Sequence, residues 1–112
     1  MLPLPRSQSD DWNTFLLNSL DKGLDFFGES TKRVVYWNFE EKYHLKRDNI
    51  PEHIPEFATA LKTMFGVGSP HLVKRIGMEM NTNIHFEFRE SDDLVSLVNK
   101  ARKEFQNTMN RE

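Results

Sequence analysis

The chain has 112 residues, of which 38% are hydrophobic and 12% aromatic, and a formal net charge of −2. This length and apolar content suit one folded domain and argue against a disordered protein. Cysteine is absent, which excludes disulfide bonds and thiol catalysis. The slightly acidic balance disfavours general nucleic-acid binding, because nucleic-acid binders usually carry a basic excess.

The N-terminal segment is predicted to be a flexible tail over residues 1–8, because Pro3 and Pro5 disfavour a helix there. It lacks the basic start and the apolar centre of a signal peptide. No apolar run reaches the roughly 18 residues of a membrane span. We therefore expect a cytoplasmic protein with no membrane partner.

Helical periodicity predicts most of the remaining chain. Ser9 or Asp10 is expected to cap the first helix and Ser30 the second, with Gly28 as the stop between them. Two prolines, Pro51 and Pro55, impose a turn over residues 49–53 before the third helix. The predicted helices cover residues 9–27, 30–44, 54–65, 69–80 and 91–110.

An extended segment is predicted over residues 83–90, where Ile84, Phe86 and Phe88 alternate with polar residues. No second strand is evident in the sequence, so two alternatives follow. The segment either pairs with its equivalent in a second copy or folds back as an irregular lead-in to the last helix. The predicted fold is an all-α small bundle of four to five helices, forming a single domain over residues 9–112.

The residues that could act in catalysis or bind a metal show no arrangement typical of those roles. The four histidines lack metal-ligand spacing, the serines lack a nucleophile-elbow setting, and the carboxylates are typical of helix caps and solvated faces. The glycine-containing turn at residues 65–70 lacks the phosphate-binding motifs. We therefore expect a non-enzymatic protein with no catalytic, cofactor or metal site.

The second helix is apolar on more than one face, because Val34, Val35, Tyr36 and Trp37 are consecutive. One face is expected in the core, and another must meet a second surface or stay exposed. We expect a protein partner or self-association, with a homodimer favoured over a monomer. The candidate interaction surface is Tyr36, Trp37, Ile84, Phe86 and Phe88.

An alternative function is DNA binding by the helix pair of residues 57–80, used as a helix-turn-helix-like element with residues 84–88 as a wing. His71, Lys74 and Arg75 would then contact DNA. The turn is longer than the tight form, the second helix carries only two firm cations, and the net charge is acidic. The DNA-binding regulator is therefore the second hypothesis.

A resemblance to a known family covers about half of the chain, from Leu24 to Ile76. It rests on Phe27-Gly28-Glu29, Tyr36, Phe39-Glu40, Tyr43, Ile50-Pro51, Pro55, Phe57, Leu61, Phe65-Gly66 and Gly68-Ser69. In these features the chain resembles the Nitrosopumilus output domain type, a family of short archaeal helical domains. The resemblance implies a small helical module with an output or interaction role in signalling or regulation, and it brings no catalytic residues.

Overall fold

The computed structural model describes residues 8–109 of the chain. Over these residues the fold is an all-α bundle, as predicted. Within these residues the five helices are α1 (Gln8–Asp25), α2 (Glu29–Tyr43), α3 (Ile54–Phe65), α4 (Ser69–Met80) and α5 (Leu94–Met109). Short 3₁₀ turns occupy Arg47–Glu52 and Gly66–Gly68. Most of the predicted tail and the last residue of the predicted C-terminal helix lie outside the described residues.

The junction between α1 and α2 differs from the prediction. α1 ends at Asp25, and the N-cap of α2 is Gly28 rather than Ser30. Gly28 has a φ of 111°, in the region that favours glycine. Its carbonyl accepts a hydrogen bond from the Lys32 amide at 3.2 Å. The chain can therefore turn from α1 directly into α2.

The third helix begins as the proline pattern predicts, with Pro55 in its first turn. The preceding 3₁₀ turn buries Ile50, which anchors it in the core. Phe57 and Leu61 lie on the inward face of α3 and are buried. The apolar stripe of this helix therefore forms part of the main core.

The last helix begins at Leu94, three residues later than predicted. Asp93 Oδ1 accepts the Ser96 amide at 2.8 Å and so satisfies the first turn of α5. Asp92 Oδ2 accepts the Arg89 amide at 2.8 Å, which closes a turn before the helix. Ser91 stays exposed in that turn, so the cap is an aspartate and not the predicted serine.

The centre of the bundle is a close approach of α1 and α4. A Cβ at Gly23 would lie 2.7 Å from Ile76 Cγ1 and 3.0 Å from Ile76 Cα. The next residue along α4, Gly77, leaves room for the Phe88 ring and for Leu97 of α5. The fully buried side chains of the core include Leu16, Leu20, Leu24, Val35, Phe39, Ile50, Phe57, Ala60, Ile76, Met80, Leu97 and Ala101.

The segment between α4 and α5 folds back on its own chain. Ile84 and Phe86 are only 7% and 9% exposed. Asn81 Oδ1 accepts the Phe86 amide at 3.0 Å, which holds the segment against the end of α4. The described residues contain no strand, so the structure shows the second of the two alternatives predicted for this segment.

Over the described part of the chain, no helix combines the length and the apolar character needed to cross a bilayer.

The close approach at Gly23 generates a first prediction. Gly→Ala inside a helix normally stabilises a protein by about 0.5–1 kcal/mol. Gly23→Ala should instead destabilise the fold by roughly 1–3 kcal/mol, because the new methyl group meets the backbone of α4. Urea denaturation measures the change.

Gly68→Ala is the matched control. A Cβ at Gly68 would have only Phe65 Cβ near it, at 4.0 Å, and the backbone φ of −82° is ordinary for any residue. This variant should stay within about 0.5 kcal/mol of the wild type or gain stability. An equal loss in both variants would contradict the close packing of α1 on α4.

Candidate interaction surface

The outward face of α2 carries two exposed apolar side chains. Trp37 is 62% exposed and Val34, almost one turn earlier, is 51% exposed. At 100° per residue they lie about 60° apart on the helix surface. Val35 and Phe39 lie on the opposite side and are fully buried. As the sequence predicted, α2 is therefore apolar on both its inner and its outer face.

The predicted surface residues do not all lie on the outside. Trp37 is exposed, whereas Tyr36 is half-buried and points back to α1. The three apolar residues of the 84–88 segment pack on the core, and Gly77 leaves space for one of them, the Phe88 ring. Ile84 and Phe86 are thus buried, and Phe88 is half-buried, in their own chain.

A polar cluster holds α2 in its orientation. The Tyr36 hydroxyl donates to Asp21 Oδ1 of α1 at 2.6 Å. Arg47 of the first 3₁₀ turn donates from Nε to Asp21 Oδ1 at 3.0 Å and from Nη2 to Oδ2 at 2.6 Å. This bidentate geometry is the strong form of an arginine–carboxylate pair. It ties three segments together and holds Tyr36 inward, so that its neighbour Trp37 points outward.

The ionisation of this cluster follows from its partners. Burial alone would raise the pKa of Asp21, but the hydrogen bonds from Arg47 and Tyr36 and the guanidinium charge outweigh it, and the pKa is lowered. Burial, followed by the hydrogen bond to Asp21, raises the pKa of Tyr36 well above its usual range. Asp21 is therefore a carboxylate and Tyr36 a neutral donor at neutral pH.

An exposed aromatic pair directly follows α1, at positions that the sequence pattern predicts to lie within the first helix. Phe26 and Phe27 meet edge to face at 5.2 Å between ring centroids, and Phe26 is largely exposed. The Arg75 guanidinium of α4 stacks on the Phe26 ring at 4.1 Å. Because α1 ends at Asp25, before the predicted end at residue 27, these two rings lie outside the buried core. The signal available in the sequence was Gly28 directly after them.

A groove of about 510 Å³ lies between α3, the start of α4 and the turn that leads into α5. Its floor is apolar and includes Ala58, Leu61, Val73, Leu94 and Val95. Glu90, Asp92 and Asp93 form an acidic side.

The carboxylates of this groove are engaged in ion pairs or in capping. Lys74 Nζ lies 2.7 Å from Glu90 Oε1, and Lys100 Nζ lies 2.7 Å from Asp92 Oδ2. The hydrogen bond from Lys74 lowers the pKa of Glu90, and the bond from the Arg89 amide lowers that of Asp92. A general acid needs the opposite shift. Neither Glu90 nor Asp92 therefore has the raised pKa that a general acid requires.

The candidate DNA contacts face carboxylates or an aromatic ring. Lys74 pairs with Glu90, and Arg75 Nη2 lies 2.7 Å from Glu79 Oε1 while its guanidinium stacks on Phe26. His71 is exposed at the start of α4. An approaching phosphate would meet two acidic side chains beside the two cations, which weakens the electrostatic term that drives DNA binding.

Within the described residues, no group of three or more histidine, aspartate and glutamate side chains is placed to hold a metal ion. Comparison of the chain with protein-family models, with curated proteins and with solved structures gives no match. The resemblance to the Nitrosopumilus output domain type stays a prediction.

The Asp21 cluster generates a second prediction. Asp21→Asn should lower the free energy of unfolding at pH 7 by about 1–3 kcal/mol, because Arg47 and Tyr36 lose a charged acceptor. The folded-state pKa of Asp21 lies below its unfolded value. Its contribution is therefore present above about pH 4 and is lost as the pH falls through the folded-state pKa. Urea denaturation should show the wild-type advantage shrinking towards about pH 2.5.

Tyr36→Phe is the control for this measurement. It removes one hydrogen bond but keeps the Arg47–Asp21 ion pair, so most of the acid dependence should remain. A difference between wild type and Asp21→Asn that is the same at both pH values would contradict the assignment of an ionised Asp21.

The pairing of the α4 cations generates a third prediction. Fluorescence anisotropy with duplex DNA at about 150 mM salt should show no complex at sub-micromolar protein, because Glu79 and Glu90 neutralise Arg75 and Lys74. Glu90→Gln frees Lys74 and should raise binding only at low salt. A tight complex that is lost in a Lys74→Ala/Arg75→Ala variant would establish the DNA-binding hypothesis instead.

Proposed function

We propose that this chain is a non-enzymatic, regulatory protein–protein interaction domain whose contact surface is the outward face of α2. The observation that carries the proposal is Trp37, 62% exposed on a helix whose opposite face is buried. The resemblance to an output-domain family supports the regulatory part. The cysteine-free composition is compatible with action in the reducing cytoplasm.

The composition of the α2 face supports a contact role. Single exposed apolar residues are common on protein surfaces and need no explanation. A tryptophan with a valine beside it is different, because tryptophan is among the residues most enriched at the energetic centres of interfaces. Arg33, Glu40 and Glu41 are exposed around the pair. This arrangement of an apolar centre with a polar rim is typical of interfaces.

The rigidity of α2 also supports the proposal. Binding costs free energy when a surface must first be ordered. Here Phe39 packs edge to face on Phe57 of α3 at 5.2 Å, and Tyr36 is bonded to Asp21 of α1. The backbone beneath Trp37 is therefore held from both sides before a partner arrives. Ordering of the α2 backbone would then subtract little from the free energy gained by burying Trp37.

Site-specific photo-crosslinking tests the proposed function. A crosslinking amino acid in place of Val34 should give a discrete adduct in the cells from which the protein comes. Trp37→Ala in the same protein should remove that adduct. The substitution should change the free energy of unfolding by less than about 0.5 kcal/mol, because the side chain is mostly in water.

Val67 provides the matched control position. It is apolar and 97% exposed, and it lies in the turn between α3 and α4. A crosslinker there should give no discrete adduct. The proposal fails if Val34 gives no adduct, if both positions give the same adduct, or if the Val34 adduct persists without Trp37.

A further inference from the structure

We infer that the partner of the α2 face is a second copy of this chain, with the two α2 helices packed antiparallel about a twofold axis at Trp37. This inference rests on the proposed function and names its partner. A twofold interface uses the same patch on both copies, so the patch must be complementary to itself. The charges of α2 meet that requirement.

The complementarity lies in the order of charges along the helix. Arg33 is four residues before Trp37, and Glu40 and Glu41 are three and four residues after it. In an antiparallel pair centred on Trp37, Arg33 of each copy lies level with Glu41 and nearly level with Glu40 of the other, and Glu40 is the one on the same side of the seam. A parallel pair would place Arg33 beside Arg33. The sequence of α2 therefore favours the antiparallel arrangement.

These charges lie on the same face as the tryptophan. At 100° per residue, Arg33 and Glu41 lie about 40° to either side of Trp37, and Glu40 lies about 60° away. All three are exposed. The two Trp37 rings would occupy the centre, and each Val34 would lie beside the acidic pair of the other copy, with Arg33 at the border nearest Glu40 of that copy. Such an order matches the apolar core and polar rim of known interfaces.

The existing ion pair of Arg33 does not oppose this contact. Arg33 Nη2 lies 3.0 Å from Glu29 Oε1, one turn earlier on α2, and both side chains are mostly in water. Exposed pairs at this spacing contribute only about 0.3–0.5 kcal/mol. Arg33 can therefore exchange Glu29 for the acidic pair of a second copy at little cost.

The contact is small and has one aromatic anchor in each copy, which favours weak association. One helix pair buries less than the roughly 800 Å² per partner of a standard interface. The dimer should therefore be reversible, with a dissociation constant in the micromolar range or weaker. Because its border is ionic and exposed, the association should weaken as salt rises.

Sedimentation analysis of purified protein from about 10 μM to about 1 mM tests the inference. The wild type should pass from the monomer mass of 13.2 kDa towards twice that mass. Arg33→Glu should weaken association about tenfold, because it opposes Glu40 and Glu41 twice by symmetry. The double variant Glu40→Lys/Glu41→Lys should weaken it similarly.

An equimolar mixture of the two charge variants is the decisive sample. In the mixed dimer, Glu at position 33 meets Lys at 40 and 41, and Arg33 of the other copy meets Glu40 and Glu41. Association should return to at least the wild-type level. Lys42→Glu is the control, because this exposed charge lies about 140° from Trp37 and should change nothing. Melting curves should show that every variant is folded.

Several results would overturn the inference. A wild-type mass of 13.2 kDa at every concentration removes the second copy as partner. A mixture that stays as weak as its components removes the antiparallel arrangement, and an equal effect of Lys42→Glu removes the assigned face. None of these results by itself overturns the proposed function, which the Val34 crosslink tests. A Trp37-dependent Val34 adduct heavier than two chains would uphold it with a different protein as partner.

Discussion

The contact between Gly23 of α1 and Ile76 of α4 is the constraint on which the rest of the structure depends. Without a side chain at Gly23, the two helices approach until the Ile76 backbone lies where a Cβ would otherwise be. Gly77 then leaves a second space on α4, which Phe88 and Leu97 fill. α4 thus contacts α1 on one side and the 84–88 segment with α5 on another. A side chain at either glycine would force these layers apart.

This arrangement also decides what α2 presents to solvent. With α1 fixed against α4, Asp21 is available to α2, and it binds Tyr36 and Arg47 together. A rotation of α2 that buried Trp37 would break the Tyr36 bond and withdraw Phe39 from the core. The exposed tryptophan is therefore a consequence of a well-satisfied inner face. The packing that stabilises the fold and the surface that we propose for binding lie on opposite sides of one helix.

The sequence could predict the helices, the fold class and the two apolar faces of α2, because these depend on local spacing. It could not predict the fate of Ile84, Phe86 and Phe88. Alternation of apolar residues is the same in a paired strand and in a segment folded on its own core. Two long-range features hold the segment inward: the space at Gly77, which the Phe88 ring fills, and the bond from the Phe86 amide to Asn81 Oδ1. A single glycine in a helical pattern does not reveal what will fill the space beside it. The exposure of Phe26 likewise depends on where α1 ends, and helix boundaries are set by cap geometry that short-range patterns specify poorly.

The order of charges along α2 is electrostatically unfavourable for the isolated helix. Acidic side chains in the last turn of a helix interact unfavourably with the negative end of the helix dipole. Glu40 and Glu41 occupy the last turn of α2, and Lys42 offsets them only in part. Neither glutamate is buried. Their placement therefore costs α2 some stability in the single chain. Arg33 of an antiparallel second copy would add positive charge at this end of the helix beside Lys42, and the positions that are unfavourable in one chain become complementary in two.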